Sequence, residues 1–551
     1  MLLFNSKMLN EMKNKIKIVI LILIVTVANF SCKKYLTTTP SDTIVSDYYY
    51  SNDAELNAAL GGVYSYLAQD GTFSRNLVLE LEMGNDEGQF NNRNNKSGNP
   101  SLYDCQSSNS IYSDCWTSLY AGINAANLLL ANVDASGASA NTKSLVKGEA
   151  TFLRGFYYFQ LVSRFGDVPL RLKPTTQVGN FNYPRTPSIQ VYNQVLSDLK
   201  YAQSLVNDII SNGTPSHINK TAIAGIIARV YLKMAGHPLN LGLPMYDSAS
   251  IYAESVISSG IHNLNPSYKQ FFINLSQDKY DINESMWEVE FYGNNTPSGT
   301  MPPGSRFPCQ LAMRYVGVDP NPQMIYGYGA FTPTGYLYDS IYQKYASDTL
   351  RRDWNIPPYT FSKIGSSDST AILPVVLPVV NPVFKPATSH WDMDCGKWKR
   401  EYETYLPKSR DWSPTNFPVI RYADVLLMAA EAENEMGNPD IALVYLNQVR
   451  TRSLAETIPS TDQLSLRQII RDERARELCF EGLRKFDLIR WGIFNKAMIS
   501  CKSSISGSTS SSSLKARYLN AYNNVGLRDT LLPIPSVELN VNGLITQNPG
   551  W

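Results

Sequence analysis

Residues 421–437 read RYADVLLMAAEAENEMG, and their spacing decides how the rest of the chain is read. Tyr422, Val425, Leu426, Ala429, Ala432 and Met436 recur at steps of three and four, so they share one face of a helix that Gly437 ends. Asn438 and Pro439 then offer an N-cap and a first-turn residue for a second helix over 441–453, IALVYLNQVRTRS, with Ala442, Leu446 and Val449 inward. Together they predict an antiparallel hairpin. A third helix near 466–482, LRQIIRDERARELCFEG, gathers Leu466, Ile469, Ile470, Leu478 and Cys479, and Gly482 ends it before LRKFDLIRW begins the next. Short helices joined by tight turns cannot each bury an apolar face alone, so they predict stacked helical hairpins.

Working outward, Asp53–Leu67, Tyr112–Val133, Lys143–Phe165, Ile189–Val206, Lys220–Met234 and Ser248–Ser258 carry further helical periods. Two stretches break the pattern. Residues 83–110, MGNDEGQFNNRNNKSGNPSLYDCQSSNS, are rich in Asn, Ser and Gly, and so long a polar loop inside a compact fold signals function or disorder. From about Phe291 to Pro418, Pro and Gly are dense, as in GNNTPSGTMPPGSRFPC, and each Pro removes an amide donor and restricts its predecessor. This stretch reads as an irregular, partly β subdomain inserted between helical parts. SSISGSTSSSS, 503–513, reads as an exposed flexible loop.

At the N-terminal end, MKNKIKIVILILIVTVANFSC from Met12 has a lysine-bearing head, a short apolar run and Ser31 before Cys32. It reads as a secretion signal over residues 1–31 and not as a membrane span. Cys32 is positioned for lipidation, and acyl chains there would hold the chain to a membrane without a transmembrane helix.

Bulk properties exclude several classes. Lys+Arg number 49 against Asp+Glu 48, a net charge of +1, so no whole-chain field favours nucleic acid. His217, His237, His262 and His390 fall into no metal-ligand spacing, no metal site is expected, and no nucleotide loop or hydrolase elbow occurs in a strand-to-helix context. Asp472, Glu473, Arg474, Arg476 and Glu477 share one helix with interleaved signs, the pattern of an ion-paired structural helix and not of two carboxylates across a cleft. No enzyme and no cofactor is predicted. Cys105 with Cys115, and Cys309 with Cys395, lie where an exported protein could pair them, whereas Cys479 reads as a buried free thiol.

The segments RYADVLLMAAEAENEMG, LNQVRTRS, RDERARELCFEGLRKFDLIRWG and LLPIPSVELNVNGLITQNPGW together resemble the C-terminal signature of the SusD/RagB family of outer-membrane nutrient-uptake lipoproteins. WTSLYAGINAANLLL (116–130) and LRGFYYFQLVSRFGDVPL (153–170) resemble that family's N-terminal half, in the same order. The resemblance implies a mainly α, TPR-like helical-hairpin scaffold, with an N-terminal half over 32–290, an irregular insert over 291–418 and a C-terminal half over 419–551. It implies a surface-exposed, lipid-anchored protein that captures oligosaccharides and delivers them to a SusC-like TonB-dependent transporter. A peptide-binding RagB-like role, or a repeat scaffold for other proteins, is the alternative. In that family the ligand site is built from loops of the two irregular regions. Sugar rings stack on flat side chains and bond through their hydroxyls, so the ligand-contacting candidates are Phe90, Tyr103, Tyr292, Phe307, Tyr326, Tyr328, Phe331 and Trp391, with Asn85, Asp86, Arg93 and Arg306 as the polar rim.

Overall fold

A computed structural model describes residues 11–17, 50–91, 97–175, 179, 182–293, 304–314, 327–361, 382–384, 389–406, 408–409 and 411–551. Residues 11–17 are helical, and they fall in a separate unit from residues 52–551, which make one compact body. Among the described residues, no helix is long and apolar enough to cross a membrane.

The long helices include Asp53–Tyr64, Ser110–Asn132, Ala140–Phe165, Ser188–Leu205, Lys220–Ala235 and Leu243–Ser258, then Tyr422–Glu435, Pro439–Arg452 and Gln463–Glu477, followed by Phe494–Gly507 and Ser512–Asn524. Local chemistry sets their starts: Asn52, Ser139, Asn219 and Asp462 each accept a first-turn amide at the N-cap. Asn438 departs from expectation. Its side chain makes no cap bond and instead donates to Glu433 at 2.8 Å, leaving Pro439 alone to favour the helix start. Most of these helices pack chiefly against a sequence neighbour, giving the predicted hairpins, whereas Asp53–Tyr64 packs chiefly on Ala140–Phe165 and Gln463–Glu477 on Tyr422–Glu435; the mainly α scaffold stands.

The Tyr422–Glu435 helix is buried around nearly its whole circumference, because Leu243–Ser258, Pro439–Arg452 and Gln463–Glu477 all pack on it. Periodicity foresaw one apolar face only. The polar side is buried as well because each charge finds a partner: Asp424 binds Arg229 at 2.7 Å and Arg474 at 2.8 Å, and Glu431 grips Arg490.

The Gln463–Glu477 helix carries this to its limit. Glu473 meets Arg351 and Arg450, each at 2.7 Å, and Arg476; Glu477 meets Arg351 at 2.9 Å, Arg421 at 3.2 Å and Arg452. Arg421 also binds Glu284 at 2.6 Å and Glu481 at 2.8 Å. These side chains are at most 3 % exposed. The cluster is therefore structural, as its interleaved signs predict, but its pairs reach across the fold and few lie along one helix. Burial alone would raise the pKa of Glu477, yet the guanidiniums of Arg452, Arg421 and Arg351 outweigh it and hold the carboxyl at about 2.

The irregular stretch is clamped at both ends. Ser285–Val289 pairs antiparallel with Phe417–Arg421, with Val289 opposite Phe417, so the chain leaves and re-enters the helical body at one place. Within the stretch, Phe331–Pro333 pairs with Gly88–Phe90 and Tyr359–Phe361 with Pro382–Phe384. The polar loop of 83–110 is thus partly ordered by a strand from the second irregular region. The serine run differs from expectation: 503–507 and 512–513 lie in the helices Phe494–Gly507 and Ser512–Asn524. Ile505 and Cys501, both fully buried, pull the first inward, and Ser511 caps the second. The C-terminal segment docks back on the N-terminal part: Asn548 donates to Phe165 O at 2.8 Å, and the Trp551 indole donates to Leu531 O at 3.0 Å and meets the Tyr112 ring edge-on at 5.9 Å.

Cys105, Cys115, Cys309, Cys395, Cys479 and Cys501 are all buried free thiols, so neither suggested pair is bonded. Burial pushes the thiols of Cys115, Cys309 and Cys479 up to about 12. In the soluble chain starting after Cys32, a thiol reagent is expected to leave all six untouched in the native protein and to titrate all six after unfolding in urea; fewer than six on unfolding would reveal a disulfide. Glu477→Gln should cost about 3–5 kcal/mol at pH 7 in urea melts, since it strands buried guanidiniums. The folded pKa of Glu477 lies below its ordinary value of 4.5, so its stabilisation is present above 4.5 and lost as pH falls toward about 2. The deficit of the variant should therefore shrink over that window; a deficit constant down to pH 2 would mean that Glu477 is not held ionised.

Candidate functional site

The structure turns seven of the twelve sequence-nominated residues inward, six of them fully and Phe90 in part. Asn85 closes an Asx turn, accepting from the Glu87 and Gly88 amides at 2.8 and 3.0 Å, and Asp86 forms a bidentate pair with Arg484 at 2.8 Å. Both are 2 % exposed, so neither rims an open site. Tyr103 is buried, with its hydroxyl donating to Gly84 O and its ring edge-on to Phe494. Trp391 shares that cluster with Tyr518 and Tyr522, and half-buried Phe90 packs against it, edge-on to buried Phe331. Phe307 is walled in by Trp398 and Phe417 at centroid distances of 4.9 and 5.1 Å. The reason is shared: these rings are the small core that lets a Pro-rich stretch hold a shape. Arg93 and Tyr326 lie outside the described residues.

The remaining three, Tyr292, Arg306 and Tyr328, come together on one surface. Ser305 and Ser413 exchange backbone hydrogen bonds at 2.7 and 2.9 Å, which fixes 304–306 beside 411–413. Gly304 is needed there, because a Cβ would stand 2.3 Å from Ser413 O and 2.4 Å from Gly293 O. Tyr292, the residue before Gly293, is 64 % exposed and meets Tyr405 edge-on at 6.2 Å. The Arg306 guanidinium lies 5.1 Å over the Trp412 ring and donates to Asp70 at 2.9 Å. Tyr328 donates its hydroxyl to Asp411.

Buried Arg400 holds the loop that carries two of these rings. It binds Glu403 through Nε at 2.7 Å and donates to the Ser409 and Trp412 carbonyls at 2.8 and 3.2 Å. Ser413 also donates to Glu403 at 2.6 Å. The Ser74 carbonyl, next to Asp70 in the chain's first turns, accepts from the Arg306 amide at 3.1 Å. The outcome is an open face of three partly exposed rings, Tyr292, Tyr405 and Trp412, flanked by Arg306, Asp70 and Asp411. Such a face can stack on flat apolar surfaces and exchange hydrogen bonds with hydroxyls. It gathers no group of three or more metal-ligating side chains, nor does any other region among the described residues.

Sequence reasoning did not nominate Tyr405, Trp412 or Asp70. Trp412 and Tyr405 lie inside the irregular stretch, so composition could have flagged them, but the pairing across 304–306 that places them beside Arg306 leaves no periodic trace. Asp70 sits in a helix-flanking turn whose partner is 236 residues away.

Two family models match the chain: the SusD family over residues 395–551, and one described as starch-binding and associating with the outer membrane over residues 34–232. A SusD-like protein of Formosa agariphila is 25 % identical over 97 % of this chain and 98 % of its own length. Among solved structures, a SusD homolog from Bacteroides thetaiotaomicron superposes with a TM-score of 0.78 at 26 % identity, covering 91 % of this chain and 98 % of that one. A laminarin-binding SusD-like protein shares the fold, with a TM-score of 0.67 at 22 % identity over 91 % of this chain and all of that one. With matches at both ends in the expected order, carried by the TPR-like hairpin scaffold, the chain belongs to the SusD/RagB family, a group of binding proteins associated with the outer membrane.

Proposed function

We infer that the protein is a surface-exposed, non-enzymatic lipoprotein that captures oligosaccharides on the Tyr292–Tyr405–Trp412 face and passes them to a SusC-like TonB-dependent transporter. The observation that carries this reading is the face itself: partly exposed rings held by a backbone bridge, beside an arginine and two carboxylates that leave room for hydroxyls. Sugars offer apolar C–H faces and a rim of donors and acceptors, which is the complement of that surface. Its openness suits a chain that extends beyond the contact and must be released again. The family model described as starch-binding and the laminarin-binding neighbour support the ligand class. Delivery follows from placement: the helical hairpins form a rigid platform that closes over a barrel, and acylation of Cys32 keeps the platform at the membrane.

Isothermal titration of the soluble chain starting after Cys32, against starch- and laminarin-derived oligosaccharides and a peptide panel, is the direct test. A saturating glycan should lose about tenfold in affinity in Trp412→Ala and in Tyr292→Ala, with unchanged circular dichroism. Glycan binding indifferent to both variants would move the site elsewhere, and peptide binding alone would replace the sugar. For the anchor, metabolic labelling with a palmitate analogue in the native host should mark the wild type and not Cys32→Ala; equal labelling would reject Cys32 as the acylated residue.

A further inference from the structure

A cavity of about 320 Å³ opens between the Ser110–Asn132 helix, the segment that follows Pro169, and the Ser536–Val541 helix. It shares no residue with the aromatic face, and the helix explains why. Trp116, Tyr120, Ile123 and Asn127 recur at helical steps and line the cavity. Ser118, half a turn away, points to the other side and donates to Gln69 at 3.0 Å, in the turn that carries Asp70. One helix therefore presents its two sides to two separate places.

The walls are built like a small-molecule site. Trp116 is 5 % exposed, packed on Phe165 and Tyr120, and its indole N–H has no partner among the described residues. Asn124 accepts the Thr175 amide at 2.9 Å, while its amide nitrogen is likewise without a partner among the described residues. The Arg171 guanidinium stacks 4.2 Å over the Tyr183 ring and spends one N–H on Thr175 at 2.7 Å. Neither Arg171 nor exposed Lys173 is ion-paired among the described residues, and the one carboxylate of the lining, Glu538, accepts only from Asn542 at 3.3 Å. Two cations against one carboxylate leave a net positive charge on an aromatic, amide-lined cavity. Its volume sits at the low end of the roughly 300–1,000 Å³ of small-molecule sites, enough for one or two rings and not for a polysaccharide segment.

We propose that this cavity is a second binding site, for an acidic mono- or disaccharide. A ring stacks against Trp116, Tyr120 or Tyr183, the anionic group faces Arg171 and Lys173, and hydroxyls meet Asn124 and Glu538. The proposal goes beyond oligosaccharide capture on the other face and does not depend on it.

Saturation-transfer NMR and titration on the soluble chain starting after Cys32 test it, with glucuronic acid, glucose 6-sulfate, glucose and sodium sulfate as probes. Saturable binding of glucuronic acid or glucose 6-sulfate is expected, about tenfold tighter than glucose and than sodium sulfate, and the arm that binds tells carboxylate from sulfate ester. Arg171→Gln should weaken it about tenfold. Lys173→Gln, on an exposed side chain that cannot compromise folding, should weaken it measurably, and Trp412→Ala should leave it unchanged. No saturation by either acidic sugar, equal binding of glucose or sodium sulfate, indifference to both cation variants, or loss in Trp412→Ala would each overturn the proposal. Because Trp412→Ala reports on the open face and the cation variants on the cavity, failure of one site is distinguishable from failure of the other.

Discussion

The fold depends on a set of guanidiniums buried beside carboxylates. Arg421 stands at the start of the central helix and reaches Glu284 from before the irregular stretch and Glu477 and Glu481 from beyond it. Arg351, from inside that stretch, reaches Glu473 and Glu477. Each ion has lost its water, so each is tolerable only while its partners are in place. That makes the network a poor source of raw stability and a strong source of specificity: a slip of one segment would leave several charges unpaired in a low-dielectric interior. Hydrophobic packing alone permits neighbouring arrangements that this network forbids.

The same logic explains what could be read from the chain. Helices and hairpins were legible because a 3.6-residue apolar period is a local signal, and the Asn, Ser and Asp caps are local too. The charged motif around Glu473 was legible as structural from its alternating signs, but its reach was not, because nothing in a linear pattern says that Glu473 will meet Arg351. The serine run misled for a related reason. Composition suggested a loop, while two well-spaced apolar residues, Cys501 and Ile505, sufficed to fold it into a helix against the Tyr518 and Tyr522 cluster.

The candidate face was legible in kind and only partly in place. Aromatic residues in an irregular, Pro-rich stretch must divide between making a core and meeting a ligand, and sequence does not reveal the division. Phe307, Phe331 and Trp391 went to the core; Tyr292 stayed outside. What sorted them was the short strand pairing and the Ser305–Ser413 bridge, both formed between residues more than a hundred positions apart. A face assembled this way can change its rings without disturbing the helices, since the bridge uses backbone groups and the buried Arg400–Glu403 pair supports the loop from beneath.

The docking of residues 528–551 onto the Ser110–Asn132 and Ala140–Phe165 helices has a kinetic consequence. Tyr112 and Phe165 find Trp551 and Asn548 only after some four hundred intervening residues have been made, so this part of the core closes late. Closing so long a loop costs entropy that grows slowly with its length, and until it closes the apolar helix faces stay uncovered during synthesis. The faces of the Ser110–Asn132 and Ala140–Phe165 helices that meet Trp551 and Asn548 therefore stay uncovered until residues 528–551 arrive.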